Sequence, residues 1–255
     1  MSTVNEQLAA LAADITTIKG VATGVATLAG QKMTDQATSY LATIAGMRQT
    51  FYVNAVTGNN ANAGTTGSPF QTIAKAISMV PDGGTVTILM QAAYTHSVTV
   101  YCGRRSVIIK SATGAFFDFN VIGFPYNAAP VYRDLYHFRF SPGGALSIDG
   151  LTINIPAVSG DLAGTTASNC GLVQPENEGS WAAFDVCIKN CKYRIPATPA
   201  TRLLPSGGTA RLLWYNNTLD GATTSLLGQI INDATSTSGT LVTSRTDLIS
   251  NLTSI

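Results

Sequence analysis

A seven-residue hydrophobic repeat near the start of the chain restricts its fold more than any other feature. Val4, Leu11, Ile18 and Val25 occupy one position of the repeat, and Leu8, Ile15, Ala22 and Ala29 the other, alternately four and three residues apart. This spacing keeps an apolar seam on one side of a helix and invites other helices to close over it. Charges in the stretch are few, namely Glu6, Asp14 and Lys19, so partner choice rests on the seam itself. Ile at one seam position with β-branched residues at the other favours three strands over two. Val4, Leu8, Leu11, Ile15, Ile18 and Val25 are therefore the expected oligomerisation residues. The competing reading is one amphipathic helix lying on its own domain. Gly20, Gly24 and Gly30 each cost a helix about 1 kcal/mol relative to Ala, so the later repeats are expected to be weaker or to end in a turn. A second helical stretch, Thr34 to Met47, carries Ala37, Tyr40, Leu41, Ile44 and Met47 at helical spacing and is free to double back on the first.

Composition narrows the function classes. Charged residues make up 11% of the 255 residues and hydrophobic ones 45%, against about 25% charged in ordinary soluble domains. The surface must therefore be coated by Thr, Ser, Asn, Gln and Gly. A net charge of +1 offers no basic field for phosphates, which excludes nucleic-acid binding, and near-neutrality favours association. The first residues lack the basic region and uninterrupted apolar stretch of a signal peptide. The apolar run from Gly20 to Gln31 lies between Lys19 and Lys32 and falls short of the ~20 residues that span a bilayer. The expectation is no membrane span and assembly in the cytoplasm. Cys102, Cys170, Cys187 and Cys191 are too scattered for a disulfide framework.

At Thr50 the pattern changes. Phe51-Tyr52-Val53 is β-rich, a polar Asn/Gly loop follows to Gly67, and then come Ser68-Pro69-Phe70, the apolar stripe Thr72, Ile73, Ala76, Ile77 and Val80, the turn Pro81-Asp82-Gly83-Gly84 and the strand Val86 to Leu89. Pro69 suits the first turn of a helix, the stripe suits a plug over a sheet stack, and Gly64 to Ser68, without the Lys of a phosphate loop, reads as flexible. Over residues 51 to 95 the sequence resembles the N-terminal cap of the right-handed parallel β-helix in pectate-lyase-like proteins, notably bacteriophage tailspikes and fibres. The resemblance implies a mainly β fold, a short right-handed parallel β-helix behind an N-terminal, trimeric coiled-coil-like α-helical segment. Later β-rich runs at Val86 to Met90, Val107 to Lys110, Leu146 to Ile155, Ala183 to Ile188 and Leu212 to Leu219 fit rungs of such a stack, with Cys187 and Cys191 as small buried hydrophobes. A β-sandwich is the competing fold. The expected parts are a helical oligomerisation and attachment segment (1–49), the β-helix (50–221) and a Ser/Thr-rich tail (222–255) that wraps its own domain or, preferably, pairs with neighbouring copies.

Chemistry is sparse. Of Asp118, Asp149, Asp161, Glu176, Glu178 and Asp185, only Asp149 and Asp185 sit in comparable places within their phrases, and isolated acids are usually solvated. Arg104-Arg105 has no acidic cluster nearby in sequence. Cys187-x-x-x-Cys191 lacks a second pair, and His96 and His137 stand alone, with His137 read as a packed ring. No catalytic residue, metal or cofactor is expected. Tyr126 and Tyr132, in the insertion from Gly123 to Asp134, and Trp181 are the candidate ligand-binding residues, since exposed rings can stack on a sugar or anchor a partner. What the resemblance implies for function is a trimeric virion fibre or spike of a tailed bacteriophage or phage-like particle. Its partners would be its own copies, other virion proteins at the tail tip, baseplate or head, and a host cell-surface glycan. A capsule or exopolysaccharide depolymerase, and a collar or adaptor carrying a separate receptor-binding protein, are the alternatives.

Overall fold

Thr3 and Glu6 start the first element with a reciprocal cap. The Glu6 carboxylate accepts from the Thr3 amide at 2.7 Å, and the Thr3 hydroxyl accepts from the Glu6 amide at 3.4 Å. Helix α1 (Val4–Gly46) follows without interruption for 43 residues, about 65 Å at 1.5 Å per residue. In the computed structural model, residues 3–126, 132–156, 171–176, 184–196, 204–205, 210–220, 231–232 and 248–250 are described. The chain divides into two compact units, Met1–Gly46 and Met47–Ile255. Contrary to expectation, Thr34 to Met47 does not form a second helix that doubles back. Gly20, Gly24 and Gly30 are simply carried through, because one or two glycines weaken a long helix without ending it. Thr16, Thr17, Thr23, Thr27, Thr34 and Thr43 each donate a hydroxyl to the carbonyl four residues earlier at 2.9–3.0 Å, so these side chains turn their methyl groups to the surroundings. No residue of α1 is buried, and the six seam residues are 56–71% exposed. By length and composition α1 is long and apolar enough to cross a membrane, which the run from Gly20 to Gln31 taken alone does not indicate.

The second unit begins with β1 (Arg48–Val53) and a short helix, α2 (Ile73–Ser78). The chain then makes repeated passes through parallel sheets. The first pass is β2 (Thr85–Met90), β3 (Tyr94–His96) and β4 (Val100–Gly103); the second is β5 (Ser106–Ser111) and β6 (Asp118–Val121), then a hairpin of β7 (Gly123–Tyr126) and β8 (Tyr132–Leu135), then β9 (Phe138–Phe140). The third is β10 (Ala145–Asp149), β11 (Thr152–Asn154) and β12 (Val173–Pro175); the fourth is β13 (Phe184–Lys189), β14 (Lys192–Arg194) and β15 (Leu204–Pro205). The fifth is β16 (Ala210–Tyr215), β17 (Thr218–Leu219) and β18 (Ile231–Asn232), and β19 (Leu248–Ser250) follows. First strands form a seven-stranded sheet, β1-β2-β5-β10-β13-β16-β19; second strands form β17-β14-β11-β6-β3; third strands form β12-β9-β4 and, separately, β15-β18. Among the named strands only β7–β8 is antiparallel. The protein is thus mainly β with parallel sheets and an N-terminal helix. β18 and β19, both within 222–255, pair with β15 and β16 of the same chain, so these parts of the tail add to their own body.

Burial alternates along the strands, as a pleat with one dry face requires. Ile88, Ile109, Ile148 and Ile188 are paired in register and followed by Trp214, and beside them run Val86, Val107, Leu146, Val186 and Leu212; all are buried. From the other sheets Phe119, Ile153 and Tyr193 and Phe138, Phe140 and Val173 fill the same interior. Cys102 and Cys191 are buried, but Cys187 is not a core residue as expected: it pairs with Ser147 and Leu213 on the outer face and is half-exposed.

The N-terminal edge is covered. Tyr52 donates its amide to Gly64 and accepts from Phe70, and Asn54 donates to Phe70, at 2.8–2.9 Å. Gly64 to Ser68, expected to be flexible, is bonded in place: the Gly64 and Thr65 amides donate to the Ser68 carbonyl at 2.9 and 3.1 Å and Gln91 donates to the Thr66 carbonyl at 2.9 Å, while to either side the Asn60 side chain accepts from the amides of Gln71 and Thr72 at 3.1 Å and the Asn62 side chain donates to the Pro69 carbonyl at 2.9 Å. Gly64, at φ +74, lies where a Cβ would sit 2.5 Å from the Phe70 ring. The helix starts later than Pro69 suggests. Thr72 is its cap, accepting from the Lys75 amide at 3.2 Å, while Ile73, Ala76 and Ile77 are buried.

Between the first and second strands of passes three to five, equivalent turns carry Gly150, Asn190 and Asn216 in the left-handed region, at φ 69, 53 and 51. Their side chains link up: Asn216 donates to Asn190, and Asn190 to Asp149, each at 2.8 Å. Asn tolerates this backbone better than other β-carbon residues. Asn190→Ala is expected to lose about 2 kcal/mol of unfolding free energy, backbone strain plus two hydrogen bonds, and Asn190→Gly about half that, because only the hydrogen bonds go; urea unfolding of the two variants measures the difference.

Candidate functional site

The outer face of the three-stranded sheet gathers a group of polar side chains. Register sets Tyr101, Arg139 and Gln174 side by side on β4, β9 and β12. Tyr101 is exposed, the Arg139 guanidinium lies 5.8 Å from its ring centroid, and Gln174 is buried. Arg139 Nε donates to His137 Nε2 at 2.7 Å, which makes Nε2 the unprotonated nitrogen of a buried imidazole. His137 is the packed ring expected from its neighbours. One step along the strands, the Ser141 hydroxyl donates to the Glu176 carboxylate, and backbone bonds from Ser141 to Gly103 and from Glu176 to Phe140, at 2.9 and 2.8 Å, hold both in line.

Glycine and an aspartate anchor the corner beside this face. Gly103, at φ +59, lets Asp82 approach so closely that a Cβ there would lie 2.4 Å from its Oδ1. Asp82 accepts from the Arg104 amide at 2.7 Å and from Arg104 Nε at 2.9 Å. These bonds, the amide foremost, hold its carboxyl below the usual range. Arg105 turns inward and donates to the carbonyls of Val80 and Cys102 at 2.7 and 3.1 Å.

The hairpin β7–β8 rises from the step between second and third strands, leading into β9. Tyr126 and Tyr132 are paired directly across it, so two of the three sequence-predicted ligand residues are brought together; Trp181 lies outside the described residues. The six seam residues stand apart from them, on α1.

Of the candidate acidic residues, Asp118, Asp149 and Asp185 are tied to cations and Glu176 to the Ser141 hydroxyl. Asp149 pairs with Lys189 at 3.3 Å, Asp185 with Arg211, and Arg194 with Asp220 at 2.8 Å and Asp118 at 3.7 Å. Asp149 and Asp185 do not share a position on neighbouring strands: Asp185 faces Ala145, and Asp149 faces Lys189 four residues further on. That offset is about 13 Å along the strand, beyond the ~5–9.5 Å separation at which paired carboxylates cleave a glycosidic bond. Asp161 and Glu178 lie outside the described residues. No group of three or more His, Cys, Asp or Glu that could hold a metal occurs among the described residues.

The outer face therefore offers an aromatic surface, a guanidinium and a hydroxyl–carboxylate pair along parallel strands, with the Gln174 amide buried beside them. That set suits hydrogen bonding and stacking with an extended polar ligand. Sequence reasoning passed over Tyr101, Arg139 and Gln174 because they sit on strands of three or four residues; the alternation Phe138-Arg139-Phe140, apolar in and cation out, was the available signal.

A model of a protein family of unknown function, DUF1565, matches residues 56–99. No curated protein and no solved structure matches the chain.

Burial raises the thiol pKa of Cys102, and pushes that of Cys191 to about 11. In a Cys170→Ser background at neutral pH, a water-soluble maleimide is expected to modify half-exposed Cys187 while Cys102 and Cys191 react only after unfolding, as peptide mass mapping would show.

Proposed function

We propose that this chain is the subunit of a trimeric fibre or spike of a tailed bacteriophage or phage-like particle, whose body is a short right-handed parallel β-helix and whose task is attachment to the host surface. The observation that carries this reading is the unbroken helix α1, which leaves Val4, Leu8, Leu11, Ile15, Ile18 and Val25 exposed at seam spacing. Burying such side chains contributes about 1.5–3 kcal/mol each, and three copies around one axis bury them all. For the body, support comes from the parallel sheets visited in constant order, from the α2 cap, and from the match to a family associated with β-helix-like proteins. The outer face around Tyr101 and Arg139, with the Tyr126–Tyr132 hairpin, is the surface that meets a host glycan. α1 joins the trimer to the tail tip, baseplate or head.

A second reading has one observation in its favour, that α1 is long and apolar enough to cross a membrane. Asp14 and Lys19 weigh against it, since each costs about 2.5–3.5 kcal/mol at the centre of a membrane helix, whereas at the rim of a bundle both reach water. Light scattering on the full chain after size exclusion distinguishes the readings. The trimer has three times the 26.6 kDa of the chain, and Leu11→Asp or Ile15→Asp reduces it to single chains, because three carboxylates would meet on a dry axis. A monomeric wild type, or a chain that remains soluble only in detergent, overturns the proposal. Release of reducing or unsaturated ends from host polysaccharide would make the protein a depolymerase.

A further inference from the structure

His96 is the one buried side chain among the described residues in which neither ring nitrogen meets a hydrogen-bond partner. It lies on β3, with no exposed surface, and its ring stacks on Phe138 at 4.3 Å and on Phe119 at 5.8 Å, tying the first pass of strands to the second. Two residues earlier on the same strand face, buried Tyr94 stacks on Phe119 at 6.0 Å, and its hydroxyl oxygen accepts from the amide of Ile73 at 3.3 Å. Ile73 opens α2, and that amide belongs to the first turn, where no helical carbonyl can serve it. Strand β3 is therefore the joint between the aromatic stack and the cap.

We propose that protonation of His96 makes this joint an acid-sensitive latch, which releases α2 from the end of the body as the pH falls. An imidazolium needs two acceptors, and the interior provides at most one, the His137 backbone, and no countercharge. The ionisable groups on the elements packed against His96 are Tyr94 on its own strand, Asp118 on β6, Cys102 and the outward-facing, exposed Tyr101 on β4, and His137 and Arg139 at β9. Burial keeps Tyr94 and Cys102 protonated and uncharged. Asp118 points outward to Arg194, Arg139 is bonded to His137, and no acidic residue is buried among the described residues. Charge on His137 repels a second charge on His96.

Burial thus lowers the His96 pKa from 6.5 to about 3, with the His137 backbone opposing only in part. Because the folded value lies below the solvated one, the open form binds the proton more tightly. The latch holds fully above about pH 6.5, weakens as the pH falls, and has lost the whole contribution below about pH 3. At pH 5 the open form is favoured about 30-fold relative to pH 7.5. Opening separates Tyr94 from Ile73 and uncovers Ile73, Ala76 and Ile77, and with them the first strands of the stack.

Hydrogen exchange of the full chain, read by mass spectrometry at pH 7.5 and pH 5 and corrected for intrinsic rates, tests the latch. Protection of 73–80 is expected to fall about 30-fold at pH 5, while 146–149, in the middle of the stack, keeps its own. His96→Phe fills the same space and should abolish the fall. Tyr94→Phe keeps the ring stack but cuts the link, so 73–80 should exchange faster at both pH values. Unchanged protection in the wild type, or an equal fall in His96→Phe, overturns the proposal. Should His96→Phe fail to fold, an NMR titration of the wild type, which has two histidines, decides: a His96 ring that titrates near pH 6 in the folded protein overturns it as well.

Discussion

Register is the constraint on which the rest of the body depends. In a parallel stack each residue sits over the residue at the same place in the next pass, and a slip by one position would turn every inward side chain outward. The row Ile88, Ile109, Ile148 and Ile188 enforces the alignment, with Trp214 closing it, because β-branched chains of one size stack with few voids and any shift opposes them to Thr87, Ser147 or Lys189. The same alignment acts outside. Asp149 falls next to Lys189, Asp185 next to Arg211 and Asn120 next to Asn154, and such exposed pairs add little individually, so they accompany the register more than they create it.

A stack with one register still has open edges, and exposed edges recruit other strands. Here the first edge is satisfied before the stack begins. Gly64 and Phe70 bond to Tyr52 and Asn54, four asparagine side chains hold that segment, and α2 seals the apolar end. The arrangement explains the low charge of the chain. Asparagine and threonine hydroxyl or amide groups satisfy backbone that charged residues would leave to water, and they do so at turns and on α1 alike. It also concentrates the vulnerability of the fold, since the cap reaches the interior through Tyr94 and His96 on a strand of three residues.

How far the fold was legible follows from strand length. The first strands of each pass, five or six residues with clear alternation, were readable as β runs at 86–90, 107–110 and 183–188, and the buried stripe Ile73, Ala76, Ile77 and Val80 was readable from its helical spacing. The second and third strands, such as β3, β9 and β12, have three residues, too few for a period to show. The polar face around Arg139 lies on those strands, so it was missed along with them. Cys187 was misassigned for a related reason: in Phe184-Asp-Val-Cys-Ile-Lys the alternation itself places Cys187 outward, but its apolar character argued for the core. Helix α1 was legible as a helix from its apolar spacing and misjudged in its extent, because three glycines weaken a 43-residue helix without ending it.

The two units solve opposite problems with the same residue types. In the body, parallel pairing is non-local and each strand is short, so stability rests on many in-register neighbours buried together. In α1 every hydrogen bond is local, the threonine hydroxyls return to the helix, and nothing in the helix is buried. A helix about 65 Å long that keeps eight large apolar side chains exposed up to Leu28 gains nothing from remaining alone in water, since intrinsic propensity supplies little and amphipathic packing supplies most helical stability. The body thus covers its own first edge and its own interior, whereas α1 leaves its large apolar side chains uncovered.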